Sequence, residues 1–163
     1  MSLSRRLLSL AALGVLAAAC APPSPEPTGP EARVTRVYDG DTIEVEFEGI
    51  RERVRYIGID TPERDDSRAP ILEMARLATE ANRSLVAGRS VRLEFDVDRR
   101  DQYDRLLAYV FVGDTLVNEW LVREGYAQAR EYRPNVRHQD LLFEAQREAQ
   151  TERLRLWDGR LPR

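Results

Sequence analysis

The stretch from Arg33 to Ile59, RVTRVYDGDTIEVEFEGIRERVRYIGI, decides the fold class. Thr42 to Phe47 alternates apolar and polar side chains and is rich in β-branched residues, the period-two pattern of a strand with one buried face. Arg33 to Tyr38 before it reads as a short strand, and Arg51 to Ile59 after it as a third. Asp39-Gly40-Asp41 and Glu48-Gly49 between them are turn signals. Connections this tight join antiparallel neighbours, so the stretch is a β-meander.

Towards the C-terminus the period changes. Met74, Ala78, Ala81 and Leu85 recur at helical spacing within Ala69 to Ala87, and Gly88 follows where a helix cap belongs. Ser90 to Val97 alternates again, and Leu106 to Val112 is a continuous apolar strand. Val117 to Glu124 and Gln139 to Arg153 complete the helices, the last with Leu142, Ala145 and Ala149 inward. Five strands with segregated helices make an α+β domain, and the arrangement suits a small five-stranded OB-type β-barrel with three packed α-helices.

Towards the N-terminus the reading is of export. Arg5 and Arg6, the apolar run Leu7 to Ala19 and small residues at 17–19 form a signal peptide over residues 1–19. Cleavage before Cys20 resembles bacterial lipoprotein processing, which makes Cys20 a candidate lipidation site and the protein a membrane-anchored lipoprotein, with secreted or periplasmic release the alternative. Residues 20–31 are a proline-rich spacer, stiff and extended, and the folded domain spans 32–163. One cysteine excludes an intrachain disulfide. All 25 basic residues are arginine, yet the net charge is −3 and falls further once Arg5 and Arg6 are removed. That excludes broad polyanion binding over a basic surface; attraction to a nucleic acid has to be local.

Acids concentrate at two strand ends: Asp39 and Asp41 at the first turn, Asp60 and Glu63 after the third strand. Several hard oxygens in one place suit Ca²⁺, whereas one histidine and one cysteine cannot build a zinc shell. Taken singly, Asp-Gly is a common turn and Asp60-Thr61-Pro62-Glu63 a plausible helix start. Arg55, in an apolar strand context, and Arg105, opening the apolar strand after Asp101-Gln102-Tyr103-Asp104, change that balance. Cations aimed at a phosphate opposite a metal and a carboxylate are the apparatus of phosphodiester hydrolysis. His138, Trp120 and Trp157 read as structural, both tryptophans in the core, and no serine has a His/Asp partner pattern.

In order along the chain, Asp39-Gly40-Asp41-Thr42, Arg55, Gly58-Ile59-Asp60-Thr61-Pro62-Glu63, Tyr103-Asp104-Arg105, Val117-Asn118-Glu119 and Tyr132-Arg133-Pro134-Asn135 resemble the staphylococcal-type thermonuclease family. The resemblance runs from about Val34 to Trp157 and implies an OB barrel with three helices. It implies a Ca²⁺-dependent nuclease acting on DNA and RNA, single-stranded preferred, by water attack that leaves 3′-phosphate ends. Asp41, Asp60 and the carbonyl of Thr61 would be the metal ligands, and Glu63 would position or deprotonate the water. Arg55 and Arg105 would grip the phosphate, and Tyr103 and Tyr132 would contact the nucleotide. The sequence departs from the family pattern at Gln102, Asp104 and Arg130, which bears on binding more than on chemistry. The alternative is a non-catalytic OB module that binds nucleic acid at the cell surface; the protein is expected to be a monomer.

Overall fold

The computed structural model describes residues 29–159, so the export segment, Cys20 and most of the proline-rich spacer lie outside the described residues. Strands β1 (Glu31–Val37), β2 (Thr42–Phe47) and β3 (Ile50–Tyr56) form the meander, and a two-residue strand β4 (Ile59–Asp60) follows. Helix α1 (Ala69–Val86) leads to β5 (Ser90–Glu94), β6 (Leu106–Val112) and the short β7 (Thr115–Leu116). Helix α2 (Val117–Arg123), β8 (Gln128–Ala129), α3 (Gln139–Thr151) and a 3₁₀ turn at Arg155–Trp157 complete the domain.

The sheet runs in the order β3-β2-β1-β5-β6-β7, and a parallel pairing of β3 with β6 (Val54 opposite Leu106, Arg55 opposite Leu107) closes five strands into a barrel. Closure needs strongly coiled strands, and β1 supplies one bend through a register shift between Val34 and Arg36 where it pairs with β2. The alternation in β2 and β3 sends Ile43, Val45 and Val54 inward, all fully buried with Leu93 and Val110. Leu142 and Ala145 of α3 and Leu121 of α2 are equally buried in the same apolar cluster.

Three sequence readings need correction. The third strand does not continue to Ile59: Gly58 adopts a positive φ of 78°, the chain turns, and Ile59–Asp60 pairs instead with β8. The fourth barrel strand stops at Glu94 rather than Val97, and beyond it Asp96 accepts the main-chain N–H of Arg137. Trp120 and Trp157 are half-buried at the edge of the core rather than within it.

Candidate active site

The site is assembled by strand register. In the β2–β3 pairing Thr42 lies opposite Arg55, which brings the Arg55 side chain beside Asp41 at the start of β2. Arg55 donates from one terminal nitrogen to Asp41 Oδ1 (2.9 Å) and from the other to Asp60 Oδ1 (3.0 Å). One guanidinium therefore spans carboxylates from two separated segments. The other Asp41 oxygen accepts the main-chain N–H of Thr61 (2.8 Å) and its hydroxyl (2.7 Å), while the Thr42 hydroxyl donates to Oδ1 (3.2 Å). Asp41 and Thr61 are buried and Arg55 is nearly so.

Close packing holds these segments together. A Cβ on Gly40 would lie 2.7 Å from Thr61 Cγ2 and 2.9 Å from Ala78 Cβ, so only glycine lets the Asp39–Asp41 turn approach both Thr61 and α1. Asn82 of α1 is fully buried; it accepts the Tyr56 hydroxyl (2.9 Å) and donates to the Asp39 carbonyl (3.0 Å). Asn118 of α2 does the same on the other flank, accepting the Val110 N–H (2.9 Å) and donating to the Ile57 carbonyl (2.8 Å). Asn82 escaped the sequence reading, although a polar residue on the apolar face of an amphipathic helix is the signal that finds it.

Two cavities meet at the Arg55–Asp60 pair. One, of about 640 Å³, is lined by Asp60, Thr61, Glu63, Arg68, Arg130 and Trp157, among others. The second, of about 380 Å³, is lined by Arg55, Arg105, Tyr103, Gln102 and Tyr132 and neighbouring residues. Glu63 thus stands with Asp60, while Arg105 and both candidate nucleotide-contacting tyrosines stand with Arg55. Tyr103 is 71% and Tyr132 48% exposed, free to meet a ligand face.

Arg105 is held by Asp101, whose Oδ2 lies 2.7 Å from its Nε, and its guanidinium carbon sits 5.4 Å from the Tyr103 ring centre. Asp104, next to Arg105 in sequence, adopts a positive φ of 62° and lies 3.4 Å from Arg100. Arg130 places a second cation 3.8 Å from Asp60 Oδ2.

The acids affect one another. Burial, followed by the Asp41 charge, pushes the Asp39 carboxyl up to about 6. Glu63 is raised by partial burial and then by Asp41, Asp60 and Asp65, with Arg55 opposing. Burial, with Asp60 next, raises Tyr132, so its phenol stays a proton donor. Desolvation of Asp101 is outweighed by hydrogen bonds from Arg105 and Tyr103, which hold its carboxyl below the usual range.

The donor set is hard: carboxylate and carbonyl oxygens, with the chain's one histidine on Glu94 and away from the cleft. Among the described residues no group of three or more His, Cys, Asp or Glu forms a self-sufficient metal cage. Asp41 and Asp60 bring carboxylate oxygens from two segments to one place, donors of the hard type that oxygen-seeking cations take.

Comparison with known proteins gives the chain's family. The family model described as staphylococcal nuclease homologue matches residues 53–159. The chain is 42% identical over 125 residues to the thermonuclease of Staphylococcus intermedius, covering 77% of this chain and 74% of that one. To the thermonuclease of Staphylococcus hyicus it is 39% identical over 127 residues, covering 78% and 75%. To endonuclease YncB of Bacillus subtilis (strain 168) it is 40% identical over 124 residues, covering 75% and 59%. A barrel closed through β3 and β6, with Arg55 spanning Asp41 and Asp60 at its rim, is thus carried by a chain that belongs to the staphylococcal nuclease homologue family.

Proposed function

We propose that this nuclease hydrolyses the phosphodiester backbone of DNA and RNA in a Ca²⁺-dependent reaction, with single-stranded substrate preferred. The observation that supports it most is the Arg55 bridge between Asp41 and Asp60, with Glu63 beside one carboxylate and Arg105 lining the cavity that Arg55 faces. Asp41, Asp60 and the Thr61 carbonyl would hold the cation, which when bound supplies positive charge to a phosphate oxygen. Glu63 orients the attacking water and takes its proton. Arg55 and Arg105 bind the non-bridging phosphate oxygens and offset the charge that grows as water adds to phosphorus. The P–O5′ bond breaks, the leaving oxygen acquires a proton, and the phosphate stays on the 3′ end. Tyr103 and Tyr132 position the nucleotide.

Residues 1–19 are proposed as an export signal, Cys20 as an acylated anchor, 20–31 as a spacer and 32–163 as a monomeric nuclease domain displayed outside the cytoplasm. Among the described residues no helix is long and apolar enough to cross a membrane.

The deciding experiment incubates purified protein with single-stranded DNA in Ca²⁺ and in chelator. Cleavage in Ca²⁺ alone, giving ends that a polymerase extends only after phosphatase treatment, is the expected result. Retention of DNA without cutting under either condition would replace the catalytic reading with a binding module.

A further inference from the structure

A second concentration of cations lies outside the cleft. A cavity of about 520 Å³ is lined by Arg36, Tyr38, Arg64 and Arg83, with the Ala87-Gly88 end of α1 at its edge. An adjoining one of about 260 Å³ shares Arg64 and Arg83 and adds Arg76. Together they make a groove across the outer face of β1 and along α1.

Arg76 is already paired, so the charge this groove can offer a ligand is that of Arg36, Arg64 and Arg83. Arg76 is held by Glu73 (2.7 Å) and Glu80 (2.6 Å). Glu44, the acid opposite Arg36 in the β1–β2 pairing, accepts from the Thr35 hydroxyl (2.8 Å) and the Tyr38 hydroxyl (3.1 Å). Among the described residues Arg36, Arg64 and Arg83 have no carboxylate within ion-pair distance of 4.0 Å, in a chain whose net charge is −3. Tyr38 sits between cations, with Arg36 at 4.7 Å and Arg53 at 5.2 Å from its ring centre. Permanently charged, fork-shaped donors around an aromatic ring suit a phosphate backbone.

The groove abuts the cleft. Arg64 follows Glu63, and its guanidinium donates to the Tyr38 carbonyl at 2.6 Å, one residue before Asp39. Glu63 lines the cleft cavity and Arg64 the groove, so consecutive residues of one segment face the two.

We propose that this groove is a second phosphate track for the same nucleic-acid strand, binding backbone phosphates beyond the one being cleaved. It rests on the nuclease reading above and explains how an acidic protein retains a long polyanion. Contacts of this kind are independent of sequence and dependent on salt, with log K falling by roughly 0.7 per log unit of salt for each phosphate neutralised on a single strand.

The test uses the full exported protein and the double variant Arg36→Gln/Arg83→Gln, since neither side chain belongs to the cleft. On a long single-stranded oligonucleotide the variant's KM should rise on the order of ten-fold at moderate salt, and the slope of log KM against log salt should flatten by about 1.4. The kcat/KM for a dinucleotide-sized phosphodiester, which reaches only the cleft, should not change. Arg83→Glu should exceed Arg83→Gln if charge is the cause. An unchanged KM and salt slope on the long strand, with the short substrate cleaved normally, would overturn the groove. So would loss of binding to phosphatidylglycerol vesicles with DNA kinetics intact, which would assign the patch to a lipid surface. Binding of the labelled oligonucleotide in chelator repeats the comparison without chemistry. Weakened binding by the variant of a parent that never cleaves would uphold the groove and sink the nuclease reading.

Discussion

Arg55 and Glu63 occupy one site but answer to different physics. Arg55 is nearly buried and neutralises two carboxylates, one of which, Asp41, has only 8% of its side chain exposed. Its removal would take away the charge proposed to bind phosphate and also leave a buried carboxylate without its cation, so stability and rate should both suffer. Lysine keeps the charge but has no fork to span Asp41 and Asp60. Arg55→Lys is therefore expected to slow cleavage by about 10²–10³ and to lower the melting temperature measurably. Glu63 has an exposed side chain and makes no ion pair among the described residues, so its replacement removes no contact that the fold depends on. Glu63→Gln should lower kcat by roughly 10²–10⁴ and leave the thermal melt within about 0.5 kcal/mol of the parent. Measuring kcat and melting curves for both variants checks the distinction. A Glu63→Gln enzyme with parental turnover would remove Glu63 from the reaction.

Between elements, the site depends on two buried asparagines that clip helices to the barrel. Asn118→Ala would orphan the Val110 N–H and the Ile57 carbonyl, each costing about 1–3 kcal/mol when buried and unpaired. We expect about 2–4 kcal/mol of destabilisation by denaturant titration, an effect no surface position should match. Little of this was legible beforehand. The alternation of Ile43, Val45 and Val54 gave the barrel's inner face, and Leu106–Val112 matched to the residue, because period-two burial is a local property. The β3–β6 closure joins residues about fifty apart and leaves no periodic trace. Arg51 to Ile59 read as one strand because Ile57-Gly58-Ile59 prolongs the apolar pattern while the positive φ of Gly58 breaks the backbone. Asp104 departs from the family pattern next to Arg105, yet it lies towards Arg100, and it is Asp101 that holds the Arg105 guanidinium. Asp41, Asp60 and Arg55 were found because their types and order survive in the sequence. Their meeting is a matter of register, which Thr42 opposite Arg55 decides.

Across the whole molecule, four acidic side chains from separated segments meet at one end of the barrel. Asp41, Asp60 and Glu63 stand near Arg55, with Asp39 beside Asp41 and Arg130 more distant, and burial first and like charge second raise the carboxyls of Asp39 and Glu63. Folding holds these like charges together, so a divalent cation bound there, as proposed, would relieve a repulsion that the unfolded chain does not have. Ligand that binds the folded state alone adds about 2.7 kcal/mol at a hundred times its Kd. For a domain of this size that corresponds to a rise of several degrees, roughly 5–15 °C, in the melting temperature. Ca²⁺ should therefore stabilise the parent against heat, in the absence of any substrate, and chelator should reverse it. Asp60→Asn keeps the side chain's shape and its contact with Arg55 in outline but removes a ligand charge, and it should abolish most of that shift while itself melting near the parent's metal-free temperature. A melting temperature indifferent to Ca²⁺ at millimolar concentration would separate Asp41 and Asp60 from metal binding, and would leave their shared guanidinium as a structural clamp at the barrel rim.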